Sequence, residues 1–160
     1  MEIHFAAVTP ENRERILALQ ILPEQREYIE TVDQCLAEAG CVHNWRPVGI
    51  YNGELLVGFA MYGYFFWEYL PCGRLWLDRF LIDRHYQGQG YGKEALDRLL
   101  KRLTEEYSAK DIYLSVIQGN EAAIRLYQSF GFRFTGEKDT HGEDVMRRPG
   151  NRPVGFMWKI

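Results

Sequence analysis

Arg74-Leu75-Trp76-Leu77-Asp78-Arg79-Phe80-Leu81-Ile82-Asp83-Arg84-His85-Tyr86-Gln87-Gly88-Gln89-Gly90-Tyr91-Gly92-Lys93 decides how this chain is read. The apolar run 75–82 reads as a strand. A polar turn follows at 83–86 and a glycine-rich loop at 87–93. Beyond it Leu96, Leu99, Leu100, Leu103 and Tyr107 recur at three- and four-residue steps, the stripe of a helix packed on a core. A strand, a glycine-rich loop and a helix in that order make an anion site. Glycines let the backbone approach a phosphate with no Cβ in the way. The first helical turn points its N–H groups at that phosphate, and the helix dipole favours its charge. Spacing excludes two phosphate loops. A Walker A loop needs a glycine five residues before Gly-Lys and a Ser or Thr after it, and here those places hold Gln87 and Glu94. A dinucleotide fingerprint needs glycines at the first, third and sixth places; counted from Gly88, the sixth is Lys93. The pattern that remains is Gln87-x-x-Gly90-x-Gly92. By spacing alone it is either a phosphate loop or a turn that packs a helix on a sheet.

Working outward, 160 residues at 46% hydrophobic and 26% charged predict one globular domain, 1–160, with a real core. The aromatic fraction of 14% leaves residues to line a cleft. A formal net charge of -3 argues against nucleic acid as a main partner and is compatible with a cationic ligand. No apolar run reaches a membrane span, and no membrane partner is expected. Met1-Glu2-Ile3-His4 lacks the regions of a signal peptide. Cys35, Cys41 and Cys72 read as free thiols, so a cytoplasmic location is expected. His4, His43, His85 and His141 share no ligand spacing, and no metal is expected.

In chain order, an edge strand is expected over 3–8. Thr9-Pro10-Glu11 then offers a hydroxyl cap, a proline and an acid to start a helix running through Ile16 and Leu19. A second helix runs from Pro23 to about Ala39. Its acids Glu24, Glu27, Glu30, Asp33 and Glu38 lie largely off the apolar stripe, mostly as a solvated face. Strands over 48–51 and 54–65 are joined through Asn52-Gly53, which suits a type I′ turn. The aromatics Tyr62, Tyr64, Phe65, Phe66, Trp67 and Tyr69 serve packing and a cleft wall. The striped helix followed by a strand at 112–116 makes a parallel, right-handed crossover. Asn120-Glu121 caps a short helix; strand 133–136, a turn at His141-Gly142, a short return at Val145-Met146, a loop over 147–153 and a last strand over 154–159 complete the chain.

A second block, Asn120-x-x-Ala123-Ile124-x-Leu126-Tyr127-x-x-Phe130-Gly131-Phe132, lies on that short helix. With Gln87-x-x-Gly90-x-Gly92 it resembles the paired conserved blocks of the GNAT superfamily of N-acetyltransferases, in order and on the right elements. The resemblance implies an α/β (α+β) fold: a mixed central sheet of about six to seven strands, four helices, and two parallel strands splayed around acetyl-CoA. It implies acetyl transfer from acetyl-CoA, as co-substrate, to a primary amine by direct attack in a ternary complex. By the family pattern the backbone of Leu81 and Ile82 pairs with the pantetheine arm. The amides of Gln87, Gly88, Gln89, Gly90, Tyr91, Gly92 and Lys93 hold the pyrophosphate. Asn120 lies near the sulfur end, and Tyr127 lies beside the thioester sulfur. A phenol near its ordinary pKa of about 10 is protonated at neutral pH and can serve the departing thiolate; the other reading of Tyr127 is a core tyrosine. Histone-modifying members carry a glutamate base on the central strand, where Trp76 stands here. Asp78, two residues on, shares that face. It accepts the amine proton through water, binds a cationic amine, or pairs with Arg74 or Arg79.

Tyr28-Ile29-Glu30, the run from Val48-Gly49-Ile50-Tyr51 to Val57-Gly58-Phe59-Ala60-Met61-Tyr62-Gly63, and Trp76-Leu77-Asp78-Arg79-Phe80 are similar to the bacterial spermine/spermidine acetyltransferases. This implies a polyamine held by spaced carboxylates and aromatic walls. Glu27, Glu30, Asp33, Glu54 and Asp78 are the available acids, Glu30 foremost. Another small amine, an aminoglycoside, a peptide amino terminus, or acyl-CoA sensing without turnover are the alternatives. Family habit leaves a homodimer open. The basic segment 147–153 shapes the cleft mouth, reaches the cofactor's ribose phosphate, or only connects.

Overall fold

The computed structural model describes residues 1–21, 32–108 and 110–150. Its strands are β1 (Ile3–Ala7), β2 (Trp45–Asn52), β3 (Leu55–Phe65), β4 (Arg74–Ile82), β5 (Ile112–Val116), β6 (Arg133–Lys138) and β7 (Asp144–Arg148). They form one 7-stranded sheet in the order β1-β2-β3-β4-β5-β7-β6. Among the described residues the helices are α1 (Arg13–Leu17), α2 (Val32–Cys41), α3 (Tyr91–Glu106) and α4 (Glu121–Ser129). This is the mixed sheet with four helices that the sequence implies. All neighbouring strands run antiparallel except β4 and β5, which are parallel.

The sheet buries both faces. Leu96, Leu99, Leu100 and Leu103 of α3 pack with Val48, Ile50, Leu75, Leu77 and Ile112 on one face. Ile16 of α1 and Val32, Cys35 and Leu36 of α2 pack with Phe59, Met61 and Leu81 on the other. Each fully buried leucine of α3 stabilises the fold by about 1.5–3 kcal/mol relative to exposure.

The feature that positions the site is where β4 and β5 part. Their ladder has two rungs, Leu75↔Ile112 and Trp76↔Tyr113. Beyond them β4 continues to Ile82 and β5 to Val116 with a gap between. A bulge diverts β4. Its register with β3 passes from Tyr62↔Leu77 to Met61↔Arg79, so Asp78 is the extra residue. Bulges bend a strand and re-aim its side chains. The parity changes accordingly: Leu75 and Leu77 face α3 before the bulge, whereas beyond it Ile82 faces α3 and Leu81 faces α1 and α2.

Several local expectations are corrected. Helix α1 starts at Arg13, not at Thr9. Asn12, not Thr9, organises the turn: its Oδ1 accepts from Thr9 N (2.8 Å) and its Nδ2 donates to Ala7 O (3.0 Å). Helix α2 passes Gly40 and ends at Cys41. Strand β2 starts at Trp45, and Asn52 stays in it rather than entering a type I′ turn. Only Gly53 has a positive φ there (59°); Asn52 is held by Glu2 N (2.8 Å) and Tyr91 Oη (3.1 Å). Arg147 and Arg148 are strand residues of β7, not loop. The expected strand over 154–159 and the start of the second helix lie outside the described residues. Among the described residues no helix is long and apolar enough to cross a membrane.

Candidate active site

The glycine loop sits where β4 ends. Gly88 and Gly90 take φ of 76° and 87°, left-handed values that favour glycine. Gly90 is the N-cap of α3. The first intrahelical bond runs from Glu94 N to Gly90 O (3.2 Å), so the amides of Tyr91, Gly92 and Lys93 precede it. That is the arrangement an anion needs. The Gln87 side chain donates to Ile82 O (2.9 Å) and ties the loop to the strand. The Tyr91 side chain is buried against Tyr86 and bonded by Asn52, so it anchors the helix start and leaves its backbone to the loop. The Gln89 side chain turns back to His85 O (3.2 Å).

From this loop a cleft runs into the gap between β4 and β5. Its first part, about 270 Å³, is lined by Leu81, Ile82, Gln87, Gly88, Gly92 and Asn120 among others. These expected cofactor residues therefore meet in one groove; Gln89, Gly90, Tyr91 and Lys93 adjoin it in the loop without lining it. The second part, about 360 Å³, shares Phe80, Asn120, Ala123 and Tyr127 with the first and adds Trp76, Asp78 and Ser115. The third, about 970 Å³, shares Trp76, Asp78 and Ser115 with the second and opens toward Trp45, Phe65 and Tyr69. Tyr127 thus stands at the first junction and Asp78 at the second.

The second sequence block explains how Tyr127 is held. Asn120 is the N-cap of α4, yet its side chain makes no capping bond and faces the cleft. At the other end Phe130 N and Phe132 N both donate to Tyr127 O (3.0 and 3.1 Å). Gly131, at φ 94°, makes that reversal feasible. The Tyr127 ring meets fully buried Phe132 edge to face at 5.8 Å. Burial pushes its phenol up to about 12, against the opposing charge of Arg79. This corrects the expectation of an ordinary phenol.

Trp76 and Asp78 share the cleft, as their spacing implies. Arg74 is engaged elsewhere: its guanidinium bonds both oxygens of Glu137 (3.0 and 2.9 Å) and lies over the rings of Tyr69 and Tyr113 (4.7 and 4.3 Å). Glu30 and Glu27 lie outside the described residues. Asp33 is exposed on α2 away from the cleft lining. Glu54 lies in the β2–β3 turn, just before β3, and does not line the wide part of the cleft. In their place Glu38, Glu68, Glu137 and Asp139 line that part. Glu38 belongs to the acidic set whose sequence pattern reads mostly as a solvated face, and the acid density over 137–144 is the signal for Glu137 and Asp139. A further residue missed in the sequence is Asp83. Buried, it accepts from Gln20 N (2.8 Å) and His85 N (2.9 Å) and pairs with His85 Nδ1 (2.7 Å).

A family model described as "Acetyltransferase (GNAT) family" matches residues 8–132. The chain belongs to that family. It is an acetyl-CoA-dependent N-acetyltransferase. A Bacillus subtilis (strain 168) protein named spermine/spermidine N(1)-acetyltransferase is 51% identical over 148 residues, covering 91% of this chain and 97% of that protein. An acetyltransferase structure from Thermus thermophilus superposes with a TM-score of 0.70 at 24% identity, covering 93% of this chain and 97% of that one. Spermidine N-acetyltransferase from Vibrio cholerae, in complex with CoA and spermine, superposes with a TM-score of 0.67 at 18% identity, covering 91% and 93%. At those identities the two structures bear on the GNAT acetyltransferase's fold alone.

Proposed function

We propose that this acetyltransferase moves the acetyl group of acetyl-CoA to a terminal primary amine of a polyamine such as spermidine or spermine. The observation that carries the reading is the wide part of the cleft. Trp45, Phe65, Tyr69 and Trp76 give it aromatic walls, and Glu38, Glu68, Asp78 and Asp139 give it carboxylates. Of the cations there, Arg74 is bonded to Glu137 and Lys138 to Asp144 (2.6 Å). Acids therefore dominate what a ligand meets. Apolar walls suit the methylenes of a polyamine, and spaced carboxylates suit its ammonium groups. The relative from Bacillus subtilis, named for spermine and spermidine, supports the same substrate class.

In this reading the groove beside Leu81, Ile82 and Asn120 takes the pantetheine arm, and the amides at the start of α3 take the pyrophosphate. Tyr127 meets the sulfur. Asp78, at the junction with the wide cavity, faces the ammonium that is to be acetylated. A phenol at about 12 lies above an ordinary thiol such as that of cysteine, at about 8.5. Full proton transfer from it to a thiolate is thus uphill. Its better role is to donate a hydrogen bond to the thiolate as the carbon–sulfur bond breaks.

The test is thiol release from acetyl-CoA by the purified protein against spermidine, spermine, diamines, an aminoglycoside, amino acids and short peptides. Preference for polyamines is expected. Preference for another amine keeps the acetyl transfer and discards the polyamine.

A further inference from the structure

The acetyl acceptor must shed a proton before it attacks, and the turn between β6 and β7 carries acids into the cleft beside Tyr127. Asp139, His141 and Glu143 line the same part as Asp78, Ser115 and Tyr127. The turn is built on Asp139. Its Oδ1 accepts the amides of His141 (2.8 Å) and Glu143 (2.9 Å). Its own amide donates to Glu143 O (2.9 Å), and its carbonyl accepts Gly142 N (3.0 Å). Glu143 is therefore fixed by backbone bonds, with its carboxyl near the charge of Asp139.

We infer that Glu143 takes the proton from the attacking ammonium, directly or through one water, and that Asp139 is its positioning residue. The inference rests on the proposed acetylation of a charged amine in this cleft. Two other acids of the cleft are less suited to the task. Glu137 is bonded bidentately by Arg74, which holds its carboxyl below the usual range. Asp139 has Oδ1 occupied by two amides. Glu143 differs: burial, and then the charge of Asp139, raise its proton affinity, against the charges of His141 and Arg79. A carboxylate closer to neutral is the better base for an ammonium. The other titratable groups on this part of the cleft are Asp78 on β4, Tyr127 on α4 and Glu38 on α2.

The protons balance. One leaves the ammonium for Glu143, and the freed lone pair attacks the thioester carbon. The carbon–nitrogen bond forms and the carbon–sulfur bond breaks. The adduct's second amine proton goes to the sulfur, which leaves beside Tyr127 as a thiol. Glu143 returns its proton to solvent.

The experiment is kcat/KM for spermidine against pH in the wild type, Glu143→Gln and Asp139→Asn, with the acetyl-CoA dissociation constant and thermal midpoint of each. Glu143→Gln is expected to lose about 100-fold at pH 7. The deficit should shrink as pH approaches the amine's own pKa of about 10, where free amine needs no base. Asp139→Asn keeps an oxygen for the two amides but removes the charge that raises Glu143, so the acid limb of kcat/KM should move to lower pH. A Glu143→Gln deficit equal at every pH overturns the inference, as does an unimpaired Glu143→Gln or an unmoved limb in Asp139→Asn, while polyamine turnover by the wild type leaves the proposed function standing. Absence of wild-type turnover on every amine overturns both.

Discussion

Tyr127 and Asp78 mark the two junctions of the cleft, and their chemistry separates. The Tyr127 hydroxyl is held protonated by burial, with a pKa pushed up to about 12. It remains a donor across the whole working pH range. Tyr127→Phe removes that donor and keeps the ring on Phe132. It should lower kcat by about 10–100-fold and change the acetyl-CoA dissociation constant by less than about twofold. Steady-state kinetics with equilibrium titration would check this, and an unchanged kcat would remove the hydroxyl from the mechanism. Asp78 occupies the bulge of β4, so its side chain sits where the strand turns from the sheet into the cleft. Asp78→Asn keeps the shape and removes the charge. It should depress kcat/KM for spermidine by about tenfold through KM, and should affect a neutral hydroxylamine acceptor far less. Equal losses on the two acceptors would count against an ammonium at Asp78.

At the scale of elements, the strand–loop–helix unit is where sequence and structure agree most closely. The leucine stripe and the Gln87-x-x-Gly90-x-Gly92 spacing are local, and local spacing fixes helix face and loop conformation without reference to the rest of the chain. The Asn120 to Phe132 block is readable for the same reason, because Gly131 and the two phenylalanines act within one turn of Tyr127. The bulge at Asp78 is not legible, since it exists only in the register between β3 and β4. Nor is the gathering of Glu38 from α2, Glu68 from the turn before β4, and Glu137 and Asp139 from the distant end of the sheet. Thr9 is a plausible cap by type, but α1 starts later, and Asn12 ties the turn before it to Ala7 O and Thr9 N. The loop unit makes its own prediction. Gly90 caps α3 at φ 87°, and an L side chain in that region costs about 1–2 kcal/mol. Gly90→Ala should weaken acetyl-CoA about tenfold and lower the thermal midpoint by a few degrees, with kcat at saturation nearly retained. Calorimetric titration and a melting curve would check it; an unchanged affinity would mean that the loop's handedness does not serve the anion.

Across the whole molecule, Asp83 joins parts far apart in the chain. It receives the Gln20 amide from the segment after α1, and the His85 amide and imidazole from the turn before the glycine loop. Arg84 N donates to Gln20 O (2.7 Å) and doubles the connection. The layer that covers one face of the sheet is thus fastened to the loop at the end of β4. Burial alone would raise the carboxyl's pKa, but the two amides and the imidazole outweigh it and hold the group below its ordinary value. The unfolded chain, with an aspartate near about 3.9, then binds the proton more readily than the folded one. Asp83 therefore contributes stability that is fully present above about pH 4 and is lost as pH falls through the lower, folded value. Asp83→Asn keeps one oxygen acceptor and loses the other, at a cost of about 1–3 kcal/mol. Its thermal midpoint should lie a few degrees below the wild type at pH 7, by the same margin at pH 5, and by a shrinking margin below about pH 4. Melting curves followed by circular dichroism at pH 7, 5 and 3 would measure the three margins. A margin undiminished at pH 3 would mean that the acceptor geometry of Asp83, and not its charge, fastens the layer to the loop.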